Sequence, residues 1–305
     1  MLERVGESKH ALRKQRRRTK DSMSHWYEEE FQATRLSLEV TKSVFKGKSE
    51  FQTVEVFDTV AYGRALAIDG VFMTSERDEF HYHELLSHPA LLTASDPKRV
   101  LVIGGGDGGT VREVLRHPGV EQCVMIEIDE LVVTACKEHM PMIGTAWDDP
   151  RLDVRFADGI DYVKNSDEEA FDVILLDGTD PIGPGEVLFG MPFFRGCKRM
   201  LKPGGVMALQ SETPMLMRDV FFETQKKLGE LFEKVHPYFG PVQLYPSGIW
   251  SWTWCSDTQD HRAPDETRAA AIVPACTYYN LEIHHGAFAQ PNYVRQGLAS
   301  LREQG

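Results

Sequence analysis

The chain lacks most of what marks a secreted, membrane-embedded or metal-built protein. Its five cysteines (Cys123, Cys136, Cys197, Cys255 and Cys276) are widely spread with no CxxC pair. That excludes a disulfide framework and a cysteine metal centre, and it fits free or buried thiols in a reducing cytoplasm. Histidines pair only as His81/His83 and His284/His285, neither with companion ligands, so no metal and no bound cofactor is expected. No apolar run approaches the ~20 residues that cross a bilayer, and no hydrophobic segment follows the basic start. No membrane partner is expected. Internal repeats and low-complexity tracts are missing too. Positive charge is in deficit: 34 Lys and Arg face 46 Asp and Glu, a formal net charge of −12. That argues against a nucleic-acid partner and suits small cationic ligands.

What is present is an ordinary globular composition over 305 residues, enough for one large or two unequal domains. Residues 1–23 form a basic segment. The first twenty carry eight Lys and Arg against two Glu and end in KQRRRTK. The reading is a solvated, flexible tail or an alternative translation start, with a targeting or polyanion-binding arm as the other possibility. Residues 24–76 alternate apolar and polar, as in Leu36 to Val40, Phe51 to Phe57 and Arg64 to Gly70, with breaks at Gly47, Gly63 and Gly70. That pattern predicts hairpins in a small antiparallel domain.

Residues 77–305 read differently. A helix is expected over 77–93, strands over 122–128, 152–157, 171–176 and 206–210, and helices over 131–139, 159–164, 192–201 and 213–232. Lys202-Pro-Gly-Gly is a helix-stop signal. An antiparallel pair, 235–245 with 249–255, closes the sheet, and mixed helix and loop follow from Arg262. Strands alternating with helices predict an α/β fold, Rossmann-like and doubly wound, with a mostly parallel sheet.

This domain is organised around Arg99 to Gly109, RVLVIGGGDGG, which reads as strand, tight turn and helix start. Gly104, Gly106 and Gly109 satisfy GxGxxG, the weak dinucleotide fingerprint. Asp107 sits inside it. A pyrophosphate would lie on the helix N-terminus, where this carboxylate would repel it. The loop suits a ligand that is neutral or cationic there; alternatively, Asp107 caps the helix.

Four successive strands end in an acid: Asp107, Glu127, Asp158 and Asp177, with Asp180 three residues further on. An acid after the second strand is placed to accept from ribose hydroxyls, and no arginine near Glu127 suggests a 2′-phosphate. Asp158, before Gly159, can accept from an adenine amino group, cap the next helix, or do both. The site reads as one for an adenosine nucleoside without phosphates. The loop Asp177-Gly-Thr-Asp180-Pro-Ile-Gly-Pro184 carries two carboxylates that can hold a diammonium, one of them able to act as general base. A turn with a cap is the plainer account of the same residues.

GGGDGG, EID, the DG after the third strand and DGTDPIGP together resemble the aminopropyltransferases, and among them the bacterial-type spermidine synthases. Further matches are Trp26 with Glu29, Ser49-Glu-Phe-Gln52, Asp69-Gly70, Glu76-Arg-Asp-Glu-Phe80, Tyr82-His83-Glu84 and Tyr245-Pro-Ser-Gly248. The resemblance covers about residues 24–300. It implies a cytoplasmic homodimer or homotetramer that moves an aminopropyl group from decarboxylated S-adenosylmethionine, a co-substrate, to putrescine. Spermidine and 5′-methylthioadenosine would be the products. Carried over by position, Gly104, Gln52, Glu127, Asp158, Gly159 and Pro184 would hold the thioadenosine part. Asp107 and His83 would lie along the aminopropyl chain. Asp177 would accept the proton, with the Tyr82 hydroxyl assisting. Asp180, Tyr82, Trp26, Tyr245 and Gln210 would line the diamine channel. Other acceptors (agmatine, cadaverine, spermidine) would use the same chemistry. A methyltransferase of the same fold class and a polyamine-binding protein with a degenerate site are the competing readings.

Overall fold

The computed structural model describes residues 25–166, 171–178 and 190–303. The basic segment 1–23, Asp180 and Pro184 lie outside them. The first layer is a five-stranded antiparallel meander: β1 (His25–Phe31), β2 (Thr34–Lys48), β3 (Thr53–Thr59), β4 (Arg64–Ile68) and β5 (Val71–Ser75). Two of these, β1 and β5, go beyond the three stretches read from sequence. Gly47 does not break a strand. It sits inside β2 opposite Val54, and the bends come instead from register shifts at Val40/Lys42 and Ser43/Phe45. The β4–β5 turn is Asp69-Gly70, both at positive φ (48° and 89°), the conformation that a two-residue hairpin of matching twist requires.

The chain then enters α1 (Glu79–Thr93), which is buried on every face from Tyr82 to Thr93. Seven strands follow: β6 (Arg99–Gly104), β7 (Gln122–Glu127), β8 (Leu152–Phe156), β9 (Phe171–Asp177), β10 (Leu201–Gln210), β11 (Lys234–Pro241) and β12 (Ile249–Ser256). Their order is β11-β12-β10-β9-β6-β7-β8. The five strands from β10 to β8 are parallel, and β12 and β11 add antiparallel edges. Buried on both faces, the parallel strands are continuous apolar runs. Val100 and Val102 pack to one side of the sheet, Leu101 and Ile103 to the other.

The connecting helices are α2 (Gly109–Leu115), α3 (Glu130–His139), α4 (Gly159–Asn165), α5 (Met191–Met200) and α6 (Arg218–Gly229). Near the C-terminus come α7 (Glu266–Ile272), α8 (Leu281–Ala287) and α9 (Asn292–Glu303). Two expected boundaries shift. The helix expected over 213–232 starts only at Arg218, because Pro214 disfavours a helical Thr213 and Glu212 has a positive φ of 68°. The helix before Lys202-Pro-Gly-Gly ends at Met200, and that segment forms the irregular start of β10, with a register shift between Leu201 and Val206.

From β6 the chain winds outward through β7 and β8, then returns to β9 and β10 on the other side. The winding direction reverses between β6 and β9, and crevices at such switch points hold ligands. Gly104 at the end of β6 pairs with Asp177 at the end of β9. The glycine loop and the last strand-tip acid therefore face one another across that crevice.

Candidate active site

The crevice is built first by backbone contact. Gly104 has φ +84°, and a Cβ there would lie 2.1 Å from the Asp177 carbonyl oxygen. Only glycine lets β6 and β9 approach this closely, and the Gly105 N–H closes the contact by donating to the same oxygen at 3.0 Å. At the other end of the loop, a Cβ on Gly109 would stand 2.3 Å from the His83 ring. The loop is thus pressed between β9 and α1, with Asp107 between them.

Asp107 Oδ1 accepts the Gly109 N–H at 2.8 Å, but the N-cap of α2 is Gly108 and the helix has no side-chain cap, so Asp107 is not its capping residue. Its other oxygen, Oδ2, lies 3.2 Å from His83 Nε2. His83 Nδ1 is 2.6 Å from Glu79 Oε2, one turn earlier on α1. Burial opposes a charge on this imidazole, but the Asp107 and Glu79 carboxylates outweigh it and raise its pKa well above the ordinary value. Burial likewise pushes Asp107 up, and the facing imidazolium more than reverses that, so Asp107 is held below the usual carboxylate range.

Asp177 moves the opposite way. Burial and then the negative charge of Asp107 raise its pKa, against His83 and hydrogen bonds from Thr110 and Tyr82. Thr110 Oγ donates to Asp177 Oδ2 at 2.6 Å. Burial first, then Asp177, keeps the Tyr82 phenol neutral and donating. Two neighbouring carboxylates are therefore driven apart in basicity, the pattern that separates a fixed anion from a proton acceptor.

Glu127 is 8% exposed. Burial, with the charges of Asp129 and Asp177, raises its pKa to about 7 against hydrogen bonds from the Asp129 and Ile128 N–H groups. Asp129 binds the N-terminal sheet to this corner, accepting from Ser49 Oγ at 2.7 Å. Ser49 in turn pins the turn that ends at Gln52, whose N–H donates to Ser49 Oγ at 3.1 Å. Asp158 is exposed and caps α4 through the Ile160 and Asp161 N–H groups.

Beside Gly178, the residue after Asp177, a narrow cleft lies between the two sheets. Its walls include Glu29, Tyr82, Gly178, Gln210 and Tyr245. Tyr245 is fixed by its hydroxyl, which donates to the Met73 carbonyl at 2.7 Å, and its ring stands edge-on to Tyr82. Glu29 is buried and accepts the Phe72 N–H at 2.9 Å, while Gln210 Nε2 donates to Glu212.

The structure thus gathers Gly104, Asp107, His83, Tyr82 and Asp177 in one cluster that opens into a cleft with Tyr245 and Gln210. Trp26 is not gathered: it is 52% exposed and is not part of the cleft wall. The reading of the sequence gave no role to Thr110, Glu79 or Arg112. Glu79 and His83 stand at the i,i+4 spacing of helical partners, which is a usable signal. Arg112, 33 residues from Glu79, offers none.

Among the described residues one group has metal-ligand spacing, His88, Glu113 and Cys276, with atoms within 4.8 Å of one another. None lines the cleft. Glu113 is already held by Arg112 and Arg116, at 2.6 and 3.0 Å, so two guanidinium groups stand where a cation would compete.

Comparison with known proteins gives the same picture. Residues 79–264 match the spermine/spermidine synthase domain, and residues 25–76 match the spermidine synthase tetramerisation domain. A polyamine aminopropyltransferase of Prochlorococcus marinus (strain MIT 9313) is 44% identical over 276 residues, 90% of this chain and 96% of that protein. One from Clostridioides difficile (strain 630) is 40% identical over 280 residues, 90% and 99% of the two chains. The crystal structure of a spermidine synthase in complex with the transition-state analogue AdoDATO superposes with a TM-score of 0.88 at 35% identity, covering 94% of this chain and 99% of that one. The spermidine synthase of Thermotoga maritima gives 0.86 at 33%, with the same coverage. With the glycine loop, the strand-tip acids and the cleft inside the matched span, the chain belongs to the spermine/spermidine synthase family of polyamine aminopropyltransferases.

Proposed function

We propose that this aminopropyltransferase is a spermidine synthase, which uses decarboxylated S-adenosylmethionine as donor and putrescine as acceptor. The observation that carries the reading is the pair Asp107 and Asp177, adjacent yet driven to opposite basicities, with Tyr82, which hydrogen-bonds Asp177, also walling a cleft with Tyr245 and Glu29. The donor is a sulfonium with a terminal ammonium and no carboxylate. Asp107 attracts that ammonium and opposes the carboxylate of intact S-adenosylmethionine, a like-charge rejection of a few kcal/mol.

The thioadenosine part lies along Gly104, Gln52, Glu127, Asp158, Gly159 and Pro184. Ile128 and Phe156, exposed at adjacent strand tips, offer apolar surface to a purine. The aminopropyl chain runs past His83 and Asp107. The diamine lies among Asp177, Tyr82, Tyr245 and Gln210, with Asp180 and Trp26 carried over from the resemblance alone, and acceptor length is read at the Glu29 end.

A neutral amine nitrogen attacks the methylene carbon bound to sulfur. The new C–N bond forms as the C–S bond breaks, and its electron pair goes to sulfur, leaving methylthioadenosine as a neutral thioether. The proton released by the amine goes to Asp177, oriented by Thr110 and Tyr82. Alignment of amine and carbon supplies much of the rate. The match to a tetramerisation domain supports a homo-oligomer, dimer or tetramer. Among the described residues no helix is long and apolar enough to cross a membrane.

Asp177→Asn tests the assignment. The account expects kcat to fall by about 10²-fold or more with a smaller change in donor affinity. A retained kcat with only a raised acceptor KM would make Asp177 a binding group and move the base elsewhere.

A further inference from the structure

Behind the cleft runs a buried ionic chain that the transfer chemistry does not touch. Arg112, on α2, grips Glu79 with two hydrogen bonds, Nη1 to Oε1 at 2.9 Å and Nη2 to Oε2 at 2.8 Å. The guanidinium is itself fixed by the Ile143 carbonyl at 2.8 Å and by Glu113 at 2.6 Å. The Glu79 and Arg112 side chains are 10% and 8% exposed. A buried ion pair is a poor source of stability compared with apolar packing of the same volume, so its value here is sought in what it orients.

It orients one atom. With His83 Nδ1 committed to Glu79 at 2.6 Å, the ring can present only Nε2 to Asp107. Asp107 is then held by two donors, the Gly109 N–H on one oxygen and His83 on the other. The second donor depends on Glu79. Without that carboxylate the ring loses the acceptor that fixes its orientation and one of the two anions that keep it charged.

We propose that Glu79 and Arg112 are positioning residues for the transfer reaction, which act through His83 to hold the Asp107 carboxylate in place beside Asp177. The inference rests on the reading of Asp107 as the donor-side carboxylate and Asp177 as the proton acceptor.

Its consequence reaches Asp177. Among the described residues, the charged or titratable groups facing His83 are Glu79 and Tyr82 from α1, Asp107 from the glycine loop, Arg112 from α2 and Asp177 from β9. The His83 charge favours the ionised form of both aspartates. Glu79→Gln removes one of the two carboxylates that raise the His83 pKa, Asp107 being the stronger. His83 then gives up its charge at a lower pH than in the wild type, and with it both aspartates lose a positive neighbour, so their pKa values rise. The acid limb of kcat/KM then moves to higher pH.

The test is the pH profile of kcat/KM for full-length Glu79→Gln and Glu79→Asp, alongside ¹⁵N NMR of the His83 ring. The expected result is an upward shift of the acid limb by about one unit in Glu79→Gln, with Glu79→Asp, which keeps the charge, near the wild-type limb. The wild-type His83 ring is expected doubly protonated at pH 7.5, its pKa held up by Asp107 and Glu79, and the Glu79→Gln ring is expected to lose its second proton at a lower pH. An active Glu79→Gln enzyme with an unmoved limb overturns the positioning role. If Glu79→Gln does not fold, the wild-type His83 spectrum decides, and a neutral ring overturns it. A wild-type chain that transfers no aminopropyl group overturns instead the reading on which the inference rests.

Discussion

Asp107 and Asp177 carry the same functional group in neighbouring loops and are driven apart by what each faces. One meets an imidazolium; the other meets the first carboxylate and two hydroxyls. Their positions were legible in the sequence because strand-tip acids after glycine turns are a local pattern. Their difference was not, since it depends on His83, Thr110 and Tyr82 arriving from other elements. Asp158 shows the reverse case, in which the local capping alternative is the one its side chain adopts. Glu127 offers a direct check at this scale. With its pKa raised to about 7 by burial, it is expected to be protonated below that pH and, in its proposed role toward the ribose hydroxyls, to lose one of its acceptor oxygens. Methylthioadenosine, a neutral ligand, is expected to bind about tenfold more weakly at pH 6 than at pH 8, and Glu127→Gln is expected to flatten that dependence. Calorimetric titration at the two pH values measures both.

Among the elements, the glycine loop was the most legible and the N-terminal strands the least. GGGDGG names a turn by composition alone, and the fold gives its steric reason in the Asp177 carbonyl and the His83 ring. The 15-residue β2 was hidden because bulges interrupt its alternation and Gly47 mimics a turn. The late start of α6 was signalled by Pro214, but the apolar run beyond it masked the boundary. The loop makes a sharp prediction. Gly109→Ala places a methyl group 2.3 Å from His83 Cε1, so the ring must leave Asp107. Activity is expected to fall at least about tenfold, as a displacement of this size in an aligned site costs. Tm should change by only a few degrees, about what 1–2 kcal/mol produces in a chain of this size. Kinetics beside a thermal melt separates the two effects.

Across the whole molecule, the small sheet completes the site. Ser49 reaches Asp129 at 2.7 Å and Tyr245 reaches the Met73 carbonyl at 2.7 Å. The cleft has walls from both sheets. Two domains could be read from the change of periodicity near residue 76; that their seam is the cleft could not, because those pairings join residues 80 to 172 positions apart. Ser49→Ala tests the seam. Losing one hydrogen bond of about 1 kcal/mol is expected to raise donor KM about fivefold with little change in kcat, measured by initial rates.

The central claim is that this acidic crevice accepts a sulfonium without a carboxylate and passes its aminopropyl group to a diamine. The most direct measurement incubates the purified chain with decarboxylated S-adenosylmethionine and, in turn, putrescine, cadaverine, agmatine and spermidine, and quantifies methylthioadenosine and the alkylated amine. The account predicts equal amounts of methylthioadenosine and spermidine, fastest with putrescine, and no reaction with intact S-adenosylmethionine. A clear preference for a longer or guanidino amine would contradict the acceptor assignment. Turnover of intact S-adenosylmethionine would contradict the role given to Asp107.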